Sequence, residues 1–345
     1  MKRLILCCDG TWNKPDKSKH NVPTNVVRLA YRVAKRDEAI PQIVYYDLGV
    51  GTGNIIDRIT GGVLGEGLED NIYDAYRFLL ANYELNDEIY LFGFSRGAFT
   101  ARSIAGMIRK CGILKRSAVD KYMEAKALYH SEVHPNDPRA VDFRRAWSIS
   151  PEDPVRIKFI GVWDTVGSLG IPKKGGVSKE YRFHDTELSG TVEYAYHALA
   201  IDEHRAPFLP TLWDYKPKAN QTVEQMWFCG VHSDVGGGYP EDAASLITLQ
   251  WMLDKAKASG LALDAEAIAA YPISINPRGK LHDSMSWIYR LSGPVDRVIG
   301  TVKGTSQADP TQSVHESVLQ RWDADSGYRP KQLREYFRRT NNPRG

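Results

Sequence analysis

Ser95, Asp164 and His232 are the residue types of an acyl-transfer triad, and they occur in the chain order serine, acid, histidine, each just past a short apolar run. A serine hydroxyl is a weak nucleophile at neutral pH. It needs a base to take its proton, an acid to orient that base, and preplaced donors for the oxyanion that develops. Ser95 sits in Gly93-Phe94-Ser95-Arg96-Gly97, after the strand-like run Glu88-Ile89-Tyr90-Leu91-Phe92 and before the helix-forming stretch Ala98-Phe99-Thr100-Ala101-Arg102-Ser103-Ile104-Ala105. Glycine on both sides removes the Cβ atoms that would block a sharp strand-to-helix turn, which lifts the hydroxyl clear of a sheet. In isolation such a pentapeptide is more often an ordinary glycine-rich loop; the strand before it and the helix after it mark it as a nucleophile elbow.

The other two members are read from their position at strand ends. Asp164 closes Lys158-Phe159-Ile160-Gly161-Val162-Trp163, and His232 follows Trp227-Phe228-Cys229-Gly230-Val231. Asp164 is also suited to capping the turn at Thr165. Asp234, two residues past His232, is an alternative acid, a loop anchor or a cation ligand. For the oxyanion, the backbone N–H of Arg96 is one expected donor, and Gly10 or Thr11, in the loop after the first strand, supplies the other. Asp9 is read as a structural acceptor fixing that loop. A competing chemistry would gather Asp9, Asp164 and Asp234 as oxygen ligands of a metal-dependent phosphoesterase, and a third reading is a catalytically silent binding module of the same fold. Gly49-Val50-Gly51-Thr52-Gly53-Asn54 has Asn where a dinucleotide fingerprint needs glycine, so the glycines of this stretch are assigned to a loop.

Elements able to position these residues follow from the apolar pattern. Runs at residues 3–8, 42–47, 88–94, 155–163 and 225–231 read as strands, and helical spacing is present at 25–35, 67–83, 117–131 and 242–258. Apolar strands alternating with helices predict an α/β fold of α/β-hydrolase type: a mostly parallel central sheet with helices on both faces and a lid or cap built from insertions. The expected organisation is a catalytic core over residues 1–260, interrupted by an insertion at about 167–222, with 261–345 as a C-terminal cap or lid packed on it. Aromatic residues in these stretches, including Tyr181, Phe183, Tyr194, Tyr196, Phe208, Trp213, Trp287 and Tyr289, are candidates for an apolar acyl pocket as well as for a satellite core.

Composition excludes several classes. With 42% hydrophobic and 25% charged residues the chain is ordinary for a packed domain, and its net charge of +3 is spread out, giving no nucleic-acid surface. Cys7, Cys8, Cys111 and Cys229 have no metal-type spacing and read as reduced buried thiols. The start Leu4-Ile5-Leu6-Cys7-Cys8-Asp9 is too short an apolar run for a signal peptide, and no run reaches the ~18 residues of a membrane span. The expected location is cytoplasmic, compatible with secretion that reads no N-terminal signal.

Six blocks in order carry a resemblance: Cys8-Asp9-Gly10-Thr11-Trp12-Asn13, Gly49-Val50-Gly51-Thr52-Gly53, Gly93-Phe94-Ser95-Arg96-Gly97-Ala98, Val162-Trp163-Asp164-Thr165-Val166-Gly167, Ala198-Leu199-Ala200-Ile201-Asp202-Glu203, and Val231-His232-Ser233-Asp234-Val235-Gly236-Gly237-Gly238-Tyr239. On these the chain resembles a family of α/β-hydrolases related to the Tle1-like phospholipase effectors of type VI secretion. The resemblance implies Ser95 as nucleophile, Asp164 as acid and His232 as base, and an acyl ester or lipid substrate; no cofactor or bound metal is expected. No amphipathic anchoring module stands out, so membrane contact is expected to be at most peripheral.

Overall fold

The computed structural model describes residues 1–10, 22–49, 62–166, 172–173, 176–177, 188–214, 218–286, 289–290 and 293–345, with the backbone alone for 62–66, 172–173 and 176–177. An eight-stranded sheet runs through the centre. Its strands are β1 (Arg3–Cys8), β2 (Arg36–Asp37), β3 (Ile40–Asp47), β4 (Glu88–Phe94), β5 (Ile157–Trp163), β8 (Val192–Ala200), β9 (Thr222–Phe228) and β10 (Gln312–Val314); β6 (Pro172–Lys173) and β7 (Gly176–Val177) pair separately. Across the sheet the order is β10-β9-β8-β5-β4-β1-β3-β2. All neighbours are parallel except the short β2, which runs antiparallel to β3. The mostly parallel α/β-hydrolase architecture is therefore the fold of this chain.

Sheet burial explains the apolar runs. Strand β1 is buried at every position, and its alternating side chains enter opposite layers. Leu4, Leu6 and Cys8 pack with Leu79, Ile104 and Ile108 of the helices Gly62–Asn82 and Arg96–Cys111. Ile5 and Cys7 pack on the other face with Val26 and Leu29 of Asn25–Ala30 and with Leu249 and Leu253 of Ala243–Ala258. A third cluster joins the β8 and β9 ends to the C-terminal helices Glu316–Ala324 and Lys331–Arg339 through Leu199, Trp227, Trp322 and Phe337. Strand β1 lies between β3 and β4, where the chain reverses its direction of winding, and in open α/β sheets ligand sites lie at the strands' carboxyl ends beside such a reversal.

Four sequence expectations change. The insertion expected at about 167–222 contains β8, an interior strand between β5 and β9; its tyrosines made it read as a cover, yet Tyr196 packs in the core under the sheet. The helix expected at 25–35 ends at Ala30, because the chain then bends to pair Val33 with Leu263 and to form β2. The helix expected at 117–131 is a 3-10 turn, Arg116–Lys121, broken at Ala118 and followed by the α-helix Tyr122–His130. Part of the stretch beyond Leu261 enters the sheet as β10.

Candidate active site

Ser95 stands between β4 and the helix Arg96–Cys111 with φ 58° and ψ −119°, a conformation that L residues adopt at a cost of about 1–3 kcal/mol. The elbow is pinned by Ser95 N–H donating to the Trp163 carbonyl at 3.0 Å, which ties it to the end of β5. Both motif glycines are required by close backbone approach. A Cβ on Gly93 would lie 2.4 Å from the Gly97 carbonyl oxygen, and one on Gly97 would lie 2.1 Å from that of Cys8. The second contact seats the elbow against the end of β1. The Arg96 amide is the first of the helix, where N–H groups have no carbonyl of their own helix to reach.

Asp164 is completely buried one residue past β5, with φ 40°. Its Oδ2 lies 2.6 Å from His232 Nδ1, and its Oδ1 accepts from the Ala200 amide at 3.1 Å at the end of β8. Arg297, 2% exposed, forks onto the same carboxylate, Nη1 to Oδ1 at 2.6 Å and Nη2 to Oδ2 at 3.0 Å. Burial pushes the Asp164 carboxyl up; the Arg297 charge and then the His232 hydrogen bond overcome it and hold the group well below the usual carboxylate range.

His232 opens the short helix His232–Gly236 rather than lying in a loop. Its ring packs on Phe94, the residue before Ser95, at 4.6 Å between centroids, and meets Phe208 edge-on at 5.0 Å. Its amide donates to Glu203 Oε2 at 3.2 Å, and Glu203 is in turn held by Arg205 and by the Ser284 hydroxyl. Buried Asn25 bonds the Val235 and Ser245 carbonyls, which fastens this short helix to Ala243–Ala258. The structure thus brings Ser95, Asp164 and His232 to one sheet edge. Among the described residues the Ser95 hydroxyl makes no hydrogen bond to His232; such contacts are often long without substrate and tighten when it binds.

The remaining candidates separate. Asp234 accepts from the Val231 amide at 3.0 Å and contacts His282 Nδ1 at 2.6 Å, so it is engaged away from the His232 imidazole. Asp9 accepts from Thr24 and Tyr46 hydroxyls, both at 2.7 Å, as a loop-fixing acceptor would. The Gly10 amide donates to Asp9 Oδ1 at 2.6 Å, so that N–H is turned to a carboxylate rather than offered to an oxyanion. Thr11 lies outside the described residues. Asp9, Asp164 and Asp234 each serve different partners, and no ligand group of three metal-binding side chains forms among the described residues.

Of the aromatic candidates, Phe208 reaches the site, Trp213 is buried under Arg102, and Tyr181, Phe183 and Trp287 lie outside the described residues. A cavity of about 500 Å³ flanks the helix after the elbow, near Phe99, Ser103, Leu188 and Trp213; Ser95 does not line it. Sequence reading missed Arg297 and the role of Glu203. The first lies in no motif, while Glu203 ends one of the blocks that carried the resemblance.

The family described as the phospholipase effector Tle1-like catalytic domain of the type VI secretion system matches residues 2–255. The chain belongs to that family. It is 31% identical over 229 residues to the uncharacterized protein YEL023C of Saccharomyces cerevisiae, a match covering 60% of this chain and 32% of that protein. Among solved structures, an uncharacterized protein from Pseudomonas aeruginosa is similar at 20% identity and a TM-score of 0.48, covering 79% of this chain and 49% of the other. A Tle1 effector bound to the VgrG spike of the type VI secretion system is similar at 20% identity and a TM-score of 0.35, with coverages of 69% and 51%. The chain therefore spans about a third of the yeast protein and about half of each of these structures. Among the described residues, no helix is long and apolar enough to cross a membrane.

Proposed function

We propose that this protein is a serine hydrolase of carboxylic esters, acting through Ser95, His232 and Asp164 and an acyl-enzyme. The observation that carries the reading is the 2.6 Å contact of His232 Nδ1 with buried Asp164, on an imidazole packed against Phe94 of the elbow. With Nδ1–H committed to Asp164, Nε2 is the basic nitrogen. It takes the Ser95 proton as Oγ attacks the ester carbonyl, then returns it to the leaving alcohol; water repeats the cycle on the acyl-enzyme. The Arg96 amide stabilises the tetrahedral oxyanion, with Thr11 as candidate for the second donor.

Membership of a phospholipase effector family makes the acyl esters of phospholipids the substrate class to test first. Labelling of Ser95 by a fluorophosphonate, together with turnover of p-nitrophenyl esters and defined phospholipids, decides the matter. Wild type should label and turn over, Ser95→Ala should do neither, and a chelator should leave both unchanged. Undiminished ester turnover by Ser95→Ala would sink the proposal, and loss of activity with chelator would point to the metal-dependent alternative.

A further inference from the structure

We infer that Arg297 is a positioning residue for the triad acid, fixing the plane of the Asp164 carboxylate so that Oδ2 faces the His232 imidazole. The inference rests on the triad reading above and adds to it a residue from outside the stretch that matches the family, since Arg297 lies beyond residue 255.

Four acceptor contacts define its place. The two terminal nitrogens hold both oxygens of Asp164, and each also donates to a carbonyl, Nη1 to Ala200 at 2.8 Å and Nη2 to Phe208 at 2.5 Å. Ala200 is the last residue of β8, and its amide donates back to Asp164 Oδ1. Phe208 is the ring that meets His232 edge-on. One planar guanidinium therefore sets three things at once: the rotation of the acid, the end of the strand beside it, and the aromatic wall of the base. A lysine ammonium is a point charge and cannot reproduce that fork.

The charge matters as much as the shape. A carboxylate stripped of water and left without a cation is strongly disfavoured, so Asp164 without Arg297 would take up a proton or rotate toward water. Either response withdraws the acceptor that holds the His232 tautomer. An arginine used only to fill space or staple the C-terminal segment would affect stability and leave the chemistry untouched.

The test compares Arg297→Ala and Arg297→Lys with wild type by kcat, KM, rate of fluorophosphonate labelling at Ser95, and melting. Arg297→Ala should lose about 10²–10⁴-fold in kcat, the range for a misplaced triad acid, with KM within a few-fold. Guanidinium ion at non-denaturing concentration should restore at least about tenfold of that loss by occupying the vacated fork, whereas sodium chloride of equal ionic strength should not. Arg297→Lys should fall between the two. If Arg297→Ala does not fold, Arg297→Lys carries the test: a drop in kcat with KM and melting unchanged supports positioning, and wild-type kcat overturns it. Folded Arg297→Ala with wild-type labelling rate overturns the inference while leaving the triad intact. Lost activity that guanidinium does not recover, with Lys no better than Ala, likewise overturns it. A wild type that does not label at Ser95 brings down the triad reading, and this inference with it.

Discussion

Two aspartate–histidine pairs sit side by side in this molecule, and only one of them adjoins a serine elbow. Asp164 and His232 meet at 2.6 Å through Nδ1, and so do Asp234 and His282. Asp164 and Asp234 are both buried, and each histidine packs on aromatic rings, His232 on Phe94 and Phe208, His282 face to face on Tyr239 at 3.8 Å. They differ in what lies beyond the pair. The Nε2 of His282 is 3.3 Å from the Glu241 carboxylate, whereas the His232 ring packs on Phe94, the residue before Ser95. A short Asp–His contact is therefore no sign of catalysis by itself; what distinguishes His232 is that its ring also packs on the residue before Ser95. The second pair has a structural task, tying residues near 282 to the short helix that begins at His232.

The largest expected effect breaks the comparison if it fails. Ser95→Ala and His232→Ala should each lower ester turnover by several orders of magnitude, because triad members act as a unit. His282→Ala should stay within about tenfold of wild type, since the proposed mechanism gives it no part. Retention of more than about a tenth of wild-type turnover by His232→Ala, or a His282→Ala loss as deep as that of His232→Ala, would exchange the roles of the two pairs.

The acids give the next contrast. Asp164→Asn should fold and lose roughly 10⁴-fold in kcat as the imidazole tautomer is released. Asp234→Asn should act through stability, on the order of 1–3 kcal/mol for a buried acceptor left mismatched, with much smaller loss of turnover. Parallel kinetics and melting would show the pattern, and its reversal would move the acid to Asp234.

A third buried carboxylate sharpens the comparison through pH. Among the described residues, Asp202 accepts from neutral donors, the Gly230 amide at 2.6 Å and the Tyr328 hydroxyl at 2.8 Å, and burial pushes it up to about 6 against these bonds. A raised acid contributes stability that is present in full below the unfolded value, about 3.9, and is lost as pH rises through the folded one. Asp164, depressed by Arg297, works in the other direction: its contribution is present above about 3.9 and lost as pH falls through its folded value. The melting temperature of wild type relative to Asp202→Asn should therefore fall between about pH 4 and 6, and relative to Asp164→Asn it should fall below about pH 4. A pH-independent difference in either case would refute the assigned partner chemistry.

The smallest effect concerns the rings. If Phe208 borders the acyl group, kcat/KM should rise from acetyl toward medium-chain esters by up to about 0.8 kcal/mol, roughly fourfold, per CH₂ taken out of water. Phe208→Ala should flatten that slope and Tyr239→Ala should not. An acetyl ester with the highest kcat/KM would eliminate an acyl pocket.

The sequence by itself determined the elbow, the order of the triad candidates and the parallel sheet, because each is local. Glycines at 93 and 97 are demanded by contacts a few residues away or at the end of β1, and doubly covered strands must be apolar along their length. Tertiary structure alone decided which of Asp164 and Asp234 meets the His232 imidazole, since both follow strand ends and only the sheet order β9-β8-β5-β4 brings the first across to it. It alone turned the presumed insertion into β8, whose tyrosines carry no mark of which side will be covered. It alone brought Arg297 onto Asp164 from 133 positions along the chain. A buried charge leaves no local pattern, because its partner is set by where two distant segments meet and by the penalty of leaving either one unpaired.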